Sequence, residues 1–116
     1  MCIFCKIINK ELDSETVYED KDVIAIMDLN PLTKGHTLVI PKVHYKNILD
    51  TPPEVLKKVM VVAQKLAIQY MDTLKMEGFN LVVNNNSVAQ QAVDHLHVHI
   101  IPRYNKDEIN YLSKAK

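Results

Sequence analysis

The chain has 116 residues, 47% of them hydrophobic and 24% charged, with 14 Lys and Arg balancing 14 Asp and Glu. That length makes one domain with a single packed core, and the hydrophobic fraction excludes a disordered chain. Balanced charge offers no field for a nucleic-acid backbone or an acidic membrane surface, and no apolar run approaches the ~20 residues of a membrane span.

Cys2 and Cys5 are the only cysteines, and Lys6 and Lys10 interrupt the first apolar residues. No signal peptide is readable there, so a cytoplasmic home is expected. In a reducing compartment a C-x2-C pair is more often a metal or redox element than a bridge; alone it is half a zinc site.

In chain order, Ile3, Phe4, Ile7 and Ile8 fall at helical spacing and predict a short helix over residues 3–10. Residues 16–20 and 23–29 read as two strands, with Lys21-Asp22 as the tight turn between them. The second strand is apolar on both faces until Asp28, a lone carboxylate that either caps the next turn or meets a ligand. Asn30-Pro31 and Gly35 punctuate the chain before a third strand, residues 36–41. Thr51-Pro52-Pro53-Glu54 reads as an N-cap and first turn, and apolar residues from Leu56 to Leu74 predict a long helix over 52–76 with Gly78 as its C-cap. A fourth strand, 79–84, leads through a polar loop, 85–92, into a fifth, 94–101, and a charged tail follows. The order implies an α+β domain: an antiparallel sheet of about five strands, with one long and one short helix packed on one face.

The fifth strand carries His95, His97 and His99 at strict alternation, with Leu96, Val98 and Ile100 between them. A strand sends these two sets to opposite faces, one apolar and one a row of imidazoles. Imidazole titrates near neutrality and serves as nucleophile, acid, base or metal ligand. Same-face neighbours are ~6.7 Å apart, so His95 and His99 stand ~13 Å apart at the backbone and cannot share one zinc. The row must divide its duties. His95, at the strand start, is free to join Cys2, Cys5 and His44 as a Cys2His2 set. His97 is the best-held imidazole for attack on phosphorus, provided its other nitrogen keeps a proton on an acceptor such as a backbone carbonyl. His99 is then placed for the phosphate oxygens.

The run from Asn84 to Arg103, ending His95-Leu96-His97-Val98-His99-Ile100-Ile101-Pro102-Arg103, resembles the histidine-triad (HIT) superfamily. Cys2-Ile3-Phe4-Cys5-Lys6-Ile7-Ile8, Asp28-Leu29-Asn30-Pro31 and Gly35 to His44 are similar to its opening helix and central strands, so the likeness spans nearly the whole chain. The nearest branch is the Hint-like purine nucleoside phosphoramidases, in the bacterial form that carries zinc. The resemblance implies a homodimer whose sheet continues across the subunits, and a hydrolase or transferase that cleaves the P–N or P–O bond at the α-phosphate of a purine nucleotide conjugate. Ile3, Phe4, Ile7 and Ile26 match positions around the base, Asp28 the ribose carboxylate, and Asn84, Gln91, Val93 and His99 the phosphate side. His97 matches the nucleophile of a nucleotidyl-histidine intermediate. His99, His95 and His36 complete the catalytic set, with His36 behind the triad. Cys2, Cys5, His44 and His95 match the ligands of a structural zinc; no organic cofactor is expected.

The likeness breaks in the phosphate loop. The family usually has Gly where Asn86 and Gln90 stand, and often Ser or Glu at the position of Ala92. Glycine lets backbone N–H groups approach a phosphate, and Asn tolerates a left-handed backbone better than Gln. These departures bear on rate and leaving-group preference, and they motivate a second reading: a nucleotide-binding dimer of low turnover with a regulatory or scaffold role.

Overall fold

The computed structural model of the protein describes residues 2–105. It is an α+β fold whose elements are α1 (Ile3–Ile8), β1 (Thr16–Glu19), β2 (Val23–Met27), β3 (Thr37–Pro41), α2 (Pro53–Thr73), β4 (Gly78–Val82), a 3-10 turn (Ser87–Ala89) and β5 (Val98–Arg103). The five strands form one antiparallel sheet in the order β1-β2-β3-β5-β4. The β1–β2 turn needs no glycine because the Asp20 carboxylate accepts from the backbone N–H groups of Asp22 and Val23.

The two helices lie on opposite faces of the sheet, not on one as the element order suggested. Val23, Ala25, Val39, Val98 and Ile100 pack with Val59, Ala63, Leu66 and Tyr70 of α2. Ile24, Ile26, Leu38 and Ile40 pack with Phe4 and Ile7 of α1. β2 and β3 are apolar at successive positions, and a strand of that kind needs cover on both sides. The short helix supplies the second cover.

Several ends fall one to three residues from the sequence reading, with α1 over Ile3–Ile8 rather than 3–10, β2 over Val23–Met27 rather than 23–29, α2 over Pro53–Thr73 rather than 52–76 and β4 over Gly78–Val82 rather than 79–84. Three of the differences have a physical reason. Thr51 is not the N-cap of α2: its hydroxyl donates to the Asn47 carbonyl, and Pro52 takes the cap position. Gly78 is not its C-cap either. The helix ends at Leu74, Lys75 takes the left-handed position (φ 57°), and Gly78 opens β4 opposite Arg103. The histidine strand starts later and runs further than 94–101, so Arg103 lies in β5 rather than in a tail. Before Val98 the ladder is replaced by other bonds: the Pro41 carbonyl accepts from the His95 ring, and the Leu96 N–H donates to the Tyr45 carbonyl in the loop after β3. Residues 106–116, most of the expected tail, lie outside the described residues.

Candidate functional site

The side-chain alternation of the histidine run persists through this irregular backbone. Leu96, Val98 and Ile100 lie on the α2 side, and the imidazoles face α1. On that side a cavity of about 280 Å³ opens between α1, the end of β2 and the histidines. Ile3, Phe4, Ile7, Ile26, Asp28, Val93, His97 and His99 line it, as does Ala92. The described lining holds the carboxylates of Asp13, Glu15 and Asp28 and no Lys or Arg. Asp28 directly follows β2 and accepts from the backbone N–H of Asn30, which holds the carboxylate at the turn.

Hydrogen bonds assign the histidine tautomers. His97 Nδ1 donates to the carbonyl of His95 at 2.8 Å, which leaves the Nε2 lone pair available. The Leu32 N–H donates to His36 Nδ1 at 3.1 Å, so neutral His36 carries its proton on Nε2. That proton faces His99 Nδ1 at 2.9 Å and Asp28 Oδ2 at 3.5 Å. His99 therefore keeps its own proton on Nε2. Asp28, His36 and His99 are close enough to resemble a second metal-ligand set. A metal on His36 Nε2 would force a proton onto Nδ1, against the Leu32 N–H. The geometry is that of a proton-ordered pair.

Burial holds these imidazoles neutral. It lowers the pKa of His36, against the opposing pull of Asp28, and that of His97, against its hydrogen bond to His95. In His99 burial acts together with the adjacent His97 and His36 and pushes the pKa down to about 4. At neutral pH the row is a set of oriented donors and lone pairs without net charge.

His95 turns away from this cavity toward the N-terminus. Its Nε2–H donates to the Pro41 carbonyl at 2.8 Å, so Nδ1 has a lone pair, 3.3 Å from Cys2 Sγ and 3.6 Å from Cys5 Sγ. His44 Nδ1 lies 3.5 and 3.2 Å from the same two sulfurs. Tetrahedral zinc with ordinary bond lengths requires S···N edges of about 3.6 Å, which the set nearly meets, and an S···S edge of about 3.8 Å. The sulfurs stand 3.1 Å apart and would open slightly. Two thiols, two imidazole lone pairs and a backbone acceptor behind His95 are compatible with zinc and leave no open coordination position. Burial and Cys2 raise the Cys5 thiol pKa, an effect that a cation reverses.

Two residues expected on the phosphate side are not in the cavity. Asn84 is half-buried just after β4 and does not line it. The Gln91 amide is consumed within the loop: its oxygen accepts from Asn86 N–H and Asn47, and its NH2 donates to the Lys46 and Val93 carbonyls. All four hydrogen-bonding positions are used, so the side chain fastens the loop. Conversely, Asp13, Ser14 and Glu15 line the cavity, although nothing in their spacing marks them. The Leu32 N–H that orders His36 is main chain and leaves no trace in residue type.

The HIT domain pattern matches residues 9–106. The chain belongs to the HIT domain family. Among its relatives is the adenosine 5'-monophosphoramidase HNT1 of Saccharomyces cerevisiae, 41% identical, with 88% of this chain and 62% of that one covered. The adenylylsulfatase HINT3 of Arabidopsis thaliana is also 41% identical, over 91% of this chain and 54% of its own. Among solved structures, a zinc-bound histidine triad family protein from Mycobacterium smegmatis superposes with a TM-score of 0.91 at 38% identity, covering 95% of this chain and 80% of that one. Hydrolases among the relatives of this HIT chain support a nucleotide hydrolase activity.

Proposed function

We propose that the protein hydrolyses AMP conjugates, cleaving the P–N or P–O bond at the α-phosphate through a nucleotide bound covalently to His97. The observation that carries this reading is the His97 Nδ1 bond to the His95 carbonyl, which gives Nε2 a lone pair in a cavity shared with Asp28 and His99. The purine packs against Ile3, Phe4, Ile7 and Ile26, and Asp28 accepts from the ribose hydroxyls. The His99 Nε2–H donates to a phosphate oxygen, its direction fixed by His36. Three carboxylates and no described Lys or Arg around the cavity favour a phosphate with one charge, as in a conjugate.

In the first step Nε2 forms a bond to phosphorus, and the bond to the leaving group breaks with its electron pair on that group. An amine departs neutral once its nitrogen has taken a proton from solvent. Water then attacks the same phosphorus, the pair of the P–Nε2 bond returns to His97, and one water proton goes to solvent. Neutral donors meet the charge on the phosphate oxygens, so no metal is needed at phosphorus. Zinc on Cys2, Cys5, His44 and His95 ties the N-terminus to the sheet and supplies no chemistry at phosphate. Intact mass after brief mixing with an adenosine phosphoramidate should give protein plus one adenylyl group, absent in His97→Ala. Equal turnover by the two proteins would overturn the mechanism.

We further propose one domain that works in the cytoplasm as a homodimer. β4 is an edge strand, and Met60, Val61, Ile68, Met71, Phe79 and Leu81 form an exposed apolar face on α2 and β4 around a hollow of about 530 Å³. A second reading, a low-turnover nucleotide-binding dimer, draws on Ala92, which lines the cavity without a hydroxyl for the leaving group. Micromolar AMP binding with negligible hydrolysis across several phosphoramidates would favour it.

A further inference from the structure

We infer that the Cys2–Cys5–His44–His95 cluster positions the nucleotide cavity beside it, so that metal and nucleotide each tighten the binding of the other. The inference rests on the zinc and nucleotide assignments above. It adds an energetic link between two sites that have no residue in common but are built on the same short helix and the same histidine run.

Two physical routes join them. The first is α1, a helix of six residues, too short to persist unless something holds it down. Cys2 caps it through its sulfur, which accepts from the Cys5 N–H, and both ligand sulfurs belong to this one turn. Ile3 and Phe4 lie between the two cysteines and Ile7 follows, and all three line the cavity. Whatever fixes the sulfurs therefore fixes one wall of the cavity, and whatever packs against that wall holds the sulfurs toward the imidazoles.

The second route is His95. Its ring is held by Pro41 at Nε2 and faces the sulfurs at Nδ1, and its carbonyl carries the His97 hydrogen bond. Phe4 stands edge-on to both rings, with centroids 5.8 Å from His95 and 5.1 Å from His97. A shift of the His95 ring thus reaches the His97 tautomer through one residue's main chain and one shared aromatic neighbour. Two ligands that require the same ordered segment bind cooperatively, and the coupling is reciprocal: AMP changes zinc affinity by the factor by which zinc changes AMP affinity.

Zinc affinity is measured by competition with a chromophoric chelator, with and without saturating AMP, and AMP affinity by calorimetry on zinc-loaded and zinc-stripped protein. The expected result is about tenfold tighter binding in each direction, with the same factor in both. Phe4→Leu should still take one zinc per chain, with the factor reduced to about two; an unchanged factor overturns the Phe4 route. One zinc bound and AMP bound, with zinc affinity indifferent to AMP, overturns the coupling and leaves both assignments standing. No zinc uptake overturns the metal assignment and the coupling together. No AMP binding by zinc-loaded protein overturns the nucleotide assignment, and the coupling with it. The zinc competition is read on loaded, folded protein, so a stripped form that unfolds does not remove the test.

Discussion

At His99, burial and the adjacent His97 and His36 outweigh the pull of Asp28, and the imidazole does not take a proton until about pH 4. An unfolded chain takes it near pH 6.5. Stability from this group is therefore complete above pH 6.5 and drains as the pH falls toward 4, because the unfolded state binds more protons across that window. The full effect is at most about 3 kcal/mol. His36 and His97 are displaced in the same direction and add to the trend. The urea midpoint should fall steeply between pH 6.5 and 4.5, and less steeply in His99→Asn. Acid release of a metal held by the Cys2–Cys5–His44–His95 set would affect both proteins alike, so their difference isolates His99. Parallel curves would contradict the assignment.

The loop between β4 and β5 shows how an element adapts when its usual residue is missing. Asn86 (φ 75°, ψ 158°) and Gln90 (φ 71°, ψ 28°) both sit at positive φ, at the two positions where the family likeness expects glycine. Asn86 occupies a region that glycine alone enters easily, and each residue costs about 1–2 kcal/mol there. Hydrogen bonds hold the shape against that cost. Asn47 donates to Asn86 Oδ1 at 2.9 Å, and the Gln91 amide spans from Asn86 to Lys46 and Val93. Among the described residues Gln90 has no such side-chain anchor, so its strain is relieved most simply. Gln90→Gly should raise stability by about 1 kcal/mol, or the melting temperature by roughly 5 °C. A lower melting temperature would mean that the loop does not hold this backbone.

At the scale of the molecule, one face of the sheet carries the histidine-lined cavity and the other is left partly bare. The core beneath α2 buries Val59, Val62, Ala63, Leu66, Ala67 and Tyr70, while Met60, Val61, Ile68 and Met71 on the same helix face outward. Ile68 is 66% exposed in the middle of that apolar surface. If two copies meet there, a charge in its centre is left without solvent in the dimer and has no such penalty in the monomer. Light scattering should give twice the chain mass for the native protein and the chain mass for Ile68→Asp, with unchanged far-UV circular dichroism. A native monomer would exclude this interface.

The period of the elements, the α+β class and the chemical character of each face are legible in residue order alone. Alternation at residues 95–100 placed imidazoles on one side and aliphatics on the other, and reach alone forbade a single metal across the row. Those properties follow from local geometry, which residue order encodes directly. The three-dimensional fold sets everything that depends on contacts between distant segments. It put α1 and α2 on opposite faces, because central strands apolar on both sides need two covers. It turned the Gln91 amide into a loop fastener, and it ordered the histidine protons through the main chain of Leu32 and His95. Hydrogen bonds to backbone atoms do not depend on side-chain identity at the partner position, so residue order carries no mark of them.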